Sequence, residues 1–232
     1  MPTPSTLVTP PTTQDDSTTM WALQYGGAHV TTWAEVPMAK IHDTTDVIVR
    51  VDMTTICGSD LHIFHGRFPV KPPMTMGHEI VGIVHSIGSK VFDVKVGDRV
   101  IVAGVLSEDE LDGAVAEIGG LGIGTFQGFE QFNGGQAGFV RVPFASDNLL
   151  LLPAGKQHEL DYVLLADIFP TANWALDCSG FVFGDVVVVF GAGKSLHFPA
   201  SQDWSLTNSF RSCWAALRLF RLPSWSQQGI QC

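Results

Sequence analysis

The chain predicts a mainly β domain, a barrel or sandwich, running into the start of an α/β unit with a parallel sheet. Two observations carry this reading. Short apolar stretches punctuated by turn residues recur between Trp21 and Pro153: Val47-Ile48-Val49-Arg50-Val51, Ile80 to Val84, Arg99 to Ala103 and Phe139 to Val142. A run of another kind follows much later, Val186-Val187-Val188-Val189-Phe190, whose continuous and mostly β-branched character suits a strand buried on both faces.

Residues 1–20 are rich in Pro, Thr and Ser with almost nothing to bury, so a mobile tail is expected there. The β domain then spans residues 21–180. Val96-Gly97-Asp98 reads as a turn into the strand at Arg99, and Gly134-Gly135-Gln136-Ala137 as a turn into the strand at Phe139. Leu160 to Ile168 has helical character, and Pro170, lacking an amide donor, is expected to end or kink it. A second short helix from about Thr171 to Cys178 would stop at Gly180. Residues 181–193 read as the opening of a dinucleotide-binding unit, with Gly191-Ala192-Gly193 as its phosphate turn. Lys194-Ser195-Leu196 then stands where a third glycine would close G-x-G-x-x-G. Residues 194–232 show no alternation of helix and strand and read as a divergent tail; the abrupt loss of pattern resembles a frameshift, a retained intron or a wrong gene model.

With 23 acidic residues against 13 basic ones, the net charge of −10 should repel nucleic-acid phosphates and anionic lipid. No apolar run approaches the roughly 18 residues of a membrane span, and Met1 to Thr19 lacks the basic and apolar regions of a secretory signal, so a cytoplasmic address is expected. Cys57, Cys178, Cys213 and Cys232 are too scattered for a disulfide framework, in keeping with a reducing compartment.

Cys57 and His78 offer the chemistry. A thiolate and an imidazole suit Zn²⁺, which takes such ligands tetrahedrally and keeps one position open when the site is catalytic. Zinc there would act as a Lewis acid on an alcohol oxygen, and a nicotinamide held at the Gly191-Ala192-Gly193 turn would accept the hydride. The run Gly77-His78-Glu79-Ile80-Val81-Gly82 continues through Gly88 and Val91, completing the pattern G-H-E-x2-G-x5-G-x2-V.

That pattern resembles the signature of zinc-containing alcohol dehydrogenases of the medium-chain family, with a likeness extending over about residues 21–193. The resemblance implies a GroES-like β-barrel catalytic domain followed by an incomplete Rossmann-type segment. It also implies a zinc-dependent interconversion of a small alcohol with an aldehyde or ketone, using NAD or NADP. By the same resemblance Cys57 and His78 are the first two metal ligands, Ser59 takes the substrate proton, and His62 passes it to solvent. Asp60 supports the ligands and Glu79 lies near the metal. The sequence Leu165-Ala166-Asp167-Ile168-Phe169-Pro170-Thr171 looks like the branch containing glutathione-independent formaldehyde dehydrogenases, which makes Asp167 the third ligand and places Thr171 near the nicotinamide. Between Val102 and Gly135 there is no cysteine, so a second, structural zinc is not expected.

Phe64, Phe68 and Trp174 are either pocket residues or ordinary packing, while His29, His42, His65, His85, His158 and His197 read as surface or core residues. The rival reading is a non-catalytic barrel fragment that binds zinc or a partner, favoured by the loss of pattern after Gly193; homo-oligomerisation is left open.

Overall fold

The computed structural model describes residues 18–111, 114–124, 131–155, 158–180 and 182. Strands β1 (Thr19–Gly27) and β2 (Val30–Pro37) open the domain as an antiparallel hairpin. After β3 (Val47–Thr54) come helix α1 (Gly58–Phe64), the short β4 (Met74–Thr75), β5 (Ile80–Ile87) and β6 (Arg99–Val102). A second hairpin, β7 (Val105–Leu111) with β8 (Ala114–Gly120), precedes β9 (Phe139–Val142), the single turn α2 (Ala145–Asn148) and β10 (Leu149–Leu151). The described part closes with α3 (Glu159–Tyr162), a 3-10 turn at Val163–Leu165, and α4 (Ile168–Ser179).

The four strands expected from apolar runs are β3, β5, β6 and β9. They are consecutive or near neighbours in one five-stranded sheet of order β10-β6-β5-β3-β9, all pairs antiparallel. A three-stranded sheet, β2-β1-β4, lies apart from it in the ladder. The two are joined by the segment just before β9: Leu23 N donates to Gln136 O at 2.8 Å and Gly138 N to Trp21 O at 3.1 Å, while Val51 N donates to Gly138 O at 2.9 Å. One short stretch thus bonds β1 on one side and β3 on the other, which curls the sheets into the expected mainly β barrel and satisfies backbone groups that an edge would expose.

Val47, Val49, Ile80, Val84, Val100, Val102, Val140 and Val142 of the five-stranded sheet form one buried cluster with Leu106 and Leu121. Each such side chain contributes about 1.5–3 kcal/mol when removed from water, and the cluster therefore fixes the register of β3 against β5.

Three features differ from the sequence reading. β1 starts at Thr19, so Thr19 and Met20, placed in the tail, pair with Pro37 and Val36. The hairpin β7–β8 occupies a stretch, Ser107-Glu108-Asp109-Glu110, that carries no apolar alternation. Pro170 neither ends nor kinks a helix; it sits in the first turn of α4, where its missing N–H would have had no helical acceptor and its fixed φ is helical already. The break falls earlier, at Ala166 and Asp167, and the helix continues to Ser179 before Gly180. No helix among the described residues is long and apolar enough to cross a membrane. The 1–17 tail, the Val186–Phe190 run, the Gly191 and Gly193 turn and residues 194–232 lie outside the described residues.

Candidate metal centre

Register brings the first two ligand candidates together. Thr54, the last residue of β3, pairs with Ile80, the first of β5. The chain therefore leaves one strand towards Cys57 and arrives at the other from His78-Glu79 on the same end of the sheet. Cys57 immediately precedes α1, whose start is held by Asp60: its Oδ2 accepts the Cys57 N–H at 2.9 Å, the reach-back bond of an N-terminal cap. Gly77 has φ +96°, a conformation that favours glycine, and a Cβ there would lie 2.5 Å from Gln136 Cγ.

Asp167 arrives from a third segment. Gly104 N donates to Ala166 O at 3.1 Å, and a side chain at Gly104 would place Cβ 2.9 Å from the carbonyl oxygen of His78. The absence of that Cβ lets the turn before α4 lie against the His78 backbone.

Cys57, His78, Glu79 and Asp167 each present a ligand atom, and these atoms all lie within 4.8 Å of one another. Cys57 Sγ is 3.8 Å from Asp167 Oδ2 and His78 Nε2 is 3.3 Å from it. Two ligands of one tetrahedral Zn²⁺ stand about 3.5 Å apart for a sulfur and an oxygen and about 3.4 Å apart for a nitrogen and an oxygen, from the ordinary bond lengths. Among the described residues neither nitrogen of His78 has a hydrogen-bond partner, although the residue is 1% exposed, and Glu79 Oε1 is likewise buried without one. His78 Nε2 and Asp167 Oδ2 lie 3.3 Å apart, close enough to share one ion. Leaving such atoms unsatisfied costs about 1–3 kcal/mol each; a cation among them removes that cost. The residues present thus fit a zinc ion with a mixed sulfur, nitrogen and oxygen set.

Their electrostatics point the same way. Burial pushes Glu79 up to about 7, helped by the neighbouring Cys57, and burial also raises Asp60. Burial alone would lower His78, but Asp167, Cys57 and Asp60 outweigh it and carry it up to about 10. Burial likewise opposes ionisation of Asp167, and His78 overcomes it, holding that carboxyl below its usual range. The pocket is an acidic cluster with one thiol that calls for positive charge.

Around the quartet, Ser59 Oγ lies 3.8 Å from Cys57 Sγ. His62, three residues further along α1 and so on the same face, has Nδ1 3.2 Å from the Arg67 guanidinium and its ring 5.7 Å from Phe68. Thr171 donates its hydroxyl to Asp167 Oδ1 at 3.1 Å, leaving Oδ2 for His78 and Cys57. Asp167 and Thr171 also border an open cavity of about 380 Å³ walled by Ile101, Leu149, Leu165 and Pro170. Phe68 packs with Tyr25, Ile63 and Met74; Phe64 meets His29 edge to face at 5.3 Å; Trp174 is 68% exposed. The sequence reading passed over Gln136 and Gly104, the first read as part of a turn.

Comparison with known proteins agrees with this geometry. Residues 43–154 match the alcohol dehydrogenase GroES-like domain. A zinc-type alcohol dehydrogenase-like protein of Bacillus subtilis is 34% identical over 199 residues, covering 80% of this chain and 53% of the relative. A glutathione-independent formaldehyde dehydrogenase of Pseudomonas aeruginosa is 35% identical over 177 residues, 68% of this chain and 44% of its own. Among solved structures, the alcohol dehydrogenase TADH from Thermus sp. ATN1 superposes with a TM-score of 0.66 at 32% identity, over 75% of this chain and 51% of that one. The chain contains the alcohol dehydrogenase GroES-like domain and is similar over most of its length to zinc-type alcohol dehydrogenases. It spans about half the length of these relatives.

Proposed function

We propose that this chain carries the zinc-holding half of a cytoplasmic oxidoreductase that interconverts a small alcohol and an aldehyde or ketone with NAD or NADP. The observation that carries the reading is the convergence of Cys57, His78, Glu79 and Asp167 within 4.8 Å, with both nitrogens of His78 and Glu79 Oε1 buried and lacking a hydrogen-bond partner among the described residues. Cys57, His78 and Asp167 would hold the ion, and Glu79, buried beside them, would tune the charge they share. Zinc, when bound, supplies Lewis acidity that makes an alcohol oxygen easier to deprotonate.

The remaining work falls to side chains. Ser59 accepts the substrate proton through a hydroxyl adjoining Cys57, and His62, on the same helix face, passes it outward. Asp60 holds Cys57 from its backbone and faces His78 Nδ1 at 3.7 Å, so that the Nε2 lone pair points into the site. Gly191 and Gly193 would hold the phosphates of a nicotinamide cofactor and Thr171 would lie by its ring; that group, when bound, would supply the hydride acceptor. The free Cys57 and Cys178 and the acidic composition fit a reducing compartment.

Zinc content decides the metal part. Purified wild type is expected to hold one zinc per chain and Cys57→Ala to hold far less, measured by elemental analysis after dialysis. Equal content in the two proteins would remove Cys57 from the site.

A further inference from the structure

Gln136 is 7% exposed and lies next to the metal-ligand candidates without belonging to them. Its side-chain nitrogen faces two acceptors, the Thr55 carbonyl oxygen at 3.1 Å and Asp60 Oδ2 at 3.3 Å. Since neither can donate, the amide NH₂ must be the group that points there. Its backbone is fixed as firmly: Gln136 N donates to Met76 O at 2.8 Å and Gln136 O accepts from Leu23 N at 2.8 Å. The side chain also packs against the Cα of Gly77, the residue preceding His78.

Asp60 Oδ2 therefore receives two donors, Gln136 Nε2 and the Cys57 N–H, while Oδ1 is left facing His78 Nδ1 at 3.7 Å. A carboxylate with both donors on one oxygen cannot rotate freely. Its other oxygen, with no hydrogen-bond partner among the described residues, faces the imidazole at 3.7 Å.

We propose that Gln136 is a positioning residue for the metal centre, acting through Asp60 to set at once the approach of Cys57 and the ring orientation of His78. The inference rests on the zinc reading above. Gln136 touches neither the ion nor the substrate; it locks the carboxylate that orients two ligands. Partners one step removed from a metal ligand are worth about 10–100-fold in affinity, and Gln136, one step further out, is expected at the lower end, about tenfold.

The test measures zinc affinity of the full chain by competition with a chromophoric chelator, for wild type, Gln136→Met, Asp60→Ala and the double variant. Met keeps the length and removes the donor, and Ala at position 60 removes the acceptor. A loss of about tenfold on Gln136→Met in the Asp60 background, with little or no further loss in the Asp60→Ala background, is expected, because the effect is routed through Asp60. A packing role alone would give the same loss in both backgrounds, and that overturns the proposal, as does wild-type affinity in Gln136→Met. If the Met variant does not fold, Gln136→Glu, nearly isosteric but repelling Asp60, takes its place in the same cycle with the same expectation. A wild type that takes up no zinc overturns the metal reading and this inference together; a wild type that binds zinc beside an equally competent Gln136→Met overturns this inference alone.

Discussion

Asp167 divides its two oxygens: Oδ2 lies with His78 Nε2 and Cys57 Sγ, and Oδ1 accepts the Thr171 hydroxyl. An aspartate has a short side chain and one broad terminal torsion, so it needs such a second contact to present one oxygen consistently. Thr171→Val, which keeps shape and removes the hydroxyl, is expected to weaken zinc binding by about tenfold while leaving the unfolding midpoint of the metal-free protein nearly unchanged. Chelator competition and thermal unfolding check the two halves; unaltered affinity would show that Asp167 is oriented by its backbone alone. Cys57 and His78 stand out in the sequence because a thiol, an imidazole and the signature glycines announce their chemistry, whereas Asp167 entered only through the resemblance of Leu165 to Thr171 to the formaldehyde dehydrogenase branch. Gln136 and Asp60 Oδ2 meeting across 76 positions of sequence was not, since no local pattern encodes a contact between an N-terminal helix cap and a turn so far away.

At the scale of elements, what could be read was what is buried on a regular period. β3, β5, β6 and β9 have short apolar runs and were expected; β1 and β2 were not, because their large aromatic residues face outwards. Trp21 and Trp33 are 53% and 58% exposed and stack on each other with centroids 6.2 Å apart, while the buried positions of β1 are Ala22 and Tyr25. A bulge between Tyr25 and Gly27 further upsets the period. The start of α4 was misplaced for a different reason, a proline that reads as a stop when met from the preceding segment and as a start when met from the following one. Elements also meet at Gly104, which spaces β6 and the turn before α4. Gly104→Ala places a methyl group 2.9 Å from His78 O, and relieving that contact is expected to shift residue 104, with the Ala166 carbonyl bonded to it, away from His78. The expected outcome is a stability loss of about 1–3 kcal/mol by urea unfolding together with weaker zinc binding. Full wild-type affinity in a destabilised Gly104→Ala protein would mean that Asp167 does not depend on this approach.

For the whole molecule, the barrel is tied at the far side from the metal by Asp46, fully buried, whose Oδ2 accepts His42 N and Asp43 N at 2.7 Å and whose carboxylate receives Arg141 at 2.7 and 3.0 Å. This joins the loop entering β3 to β9. Removing one partner of a buried pair costs about 3–5 kcal/mol, and with two backbone donors remaining the expectation for Arg141→Met is about 3 kcal/mol. Arg50–Asp52 is the internal contrast, a half-exposed pair at 3.1 Å with both side chains about a quarter accessible, where Arg50→Met should cost about 0–1 kcal/mol. Equal losses by urea unfolding would show that burial is not what sets the value of these pairs.

The candidate centre is assembled from three distant segments, those of Cys57, His78-Glu79 and Asp167, so the coordination sphere itself is the most direct test. X-ray absorption at the zinc edge of the loaded full chain is predicted to show one sulfur at about 2.3 Å and lighter nitrogen or oxygen neighbours at about 2.0–2.2 Å, with the sulfur contribution lost in Cys57→Ala. A sphere with several sulfurs, or a single sulfur that survives Cys57→Ala, would contradict the assignment of Cys57, His78 and Asp167 as the metal-holding set.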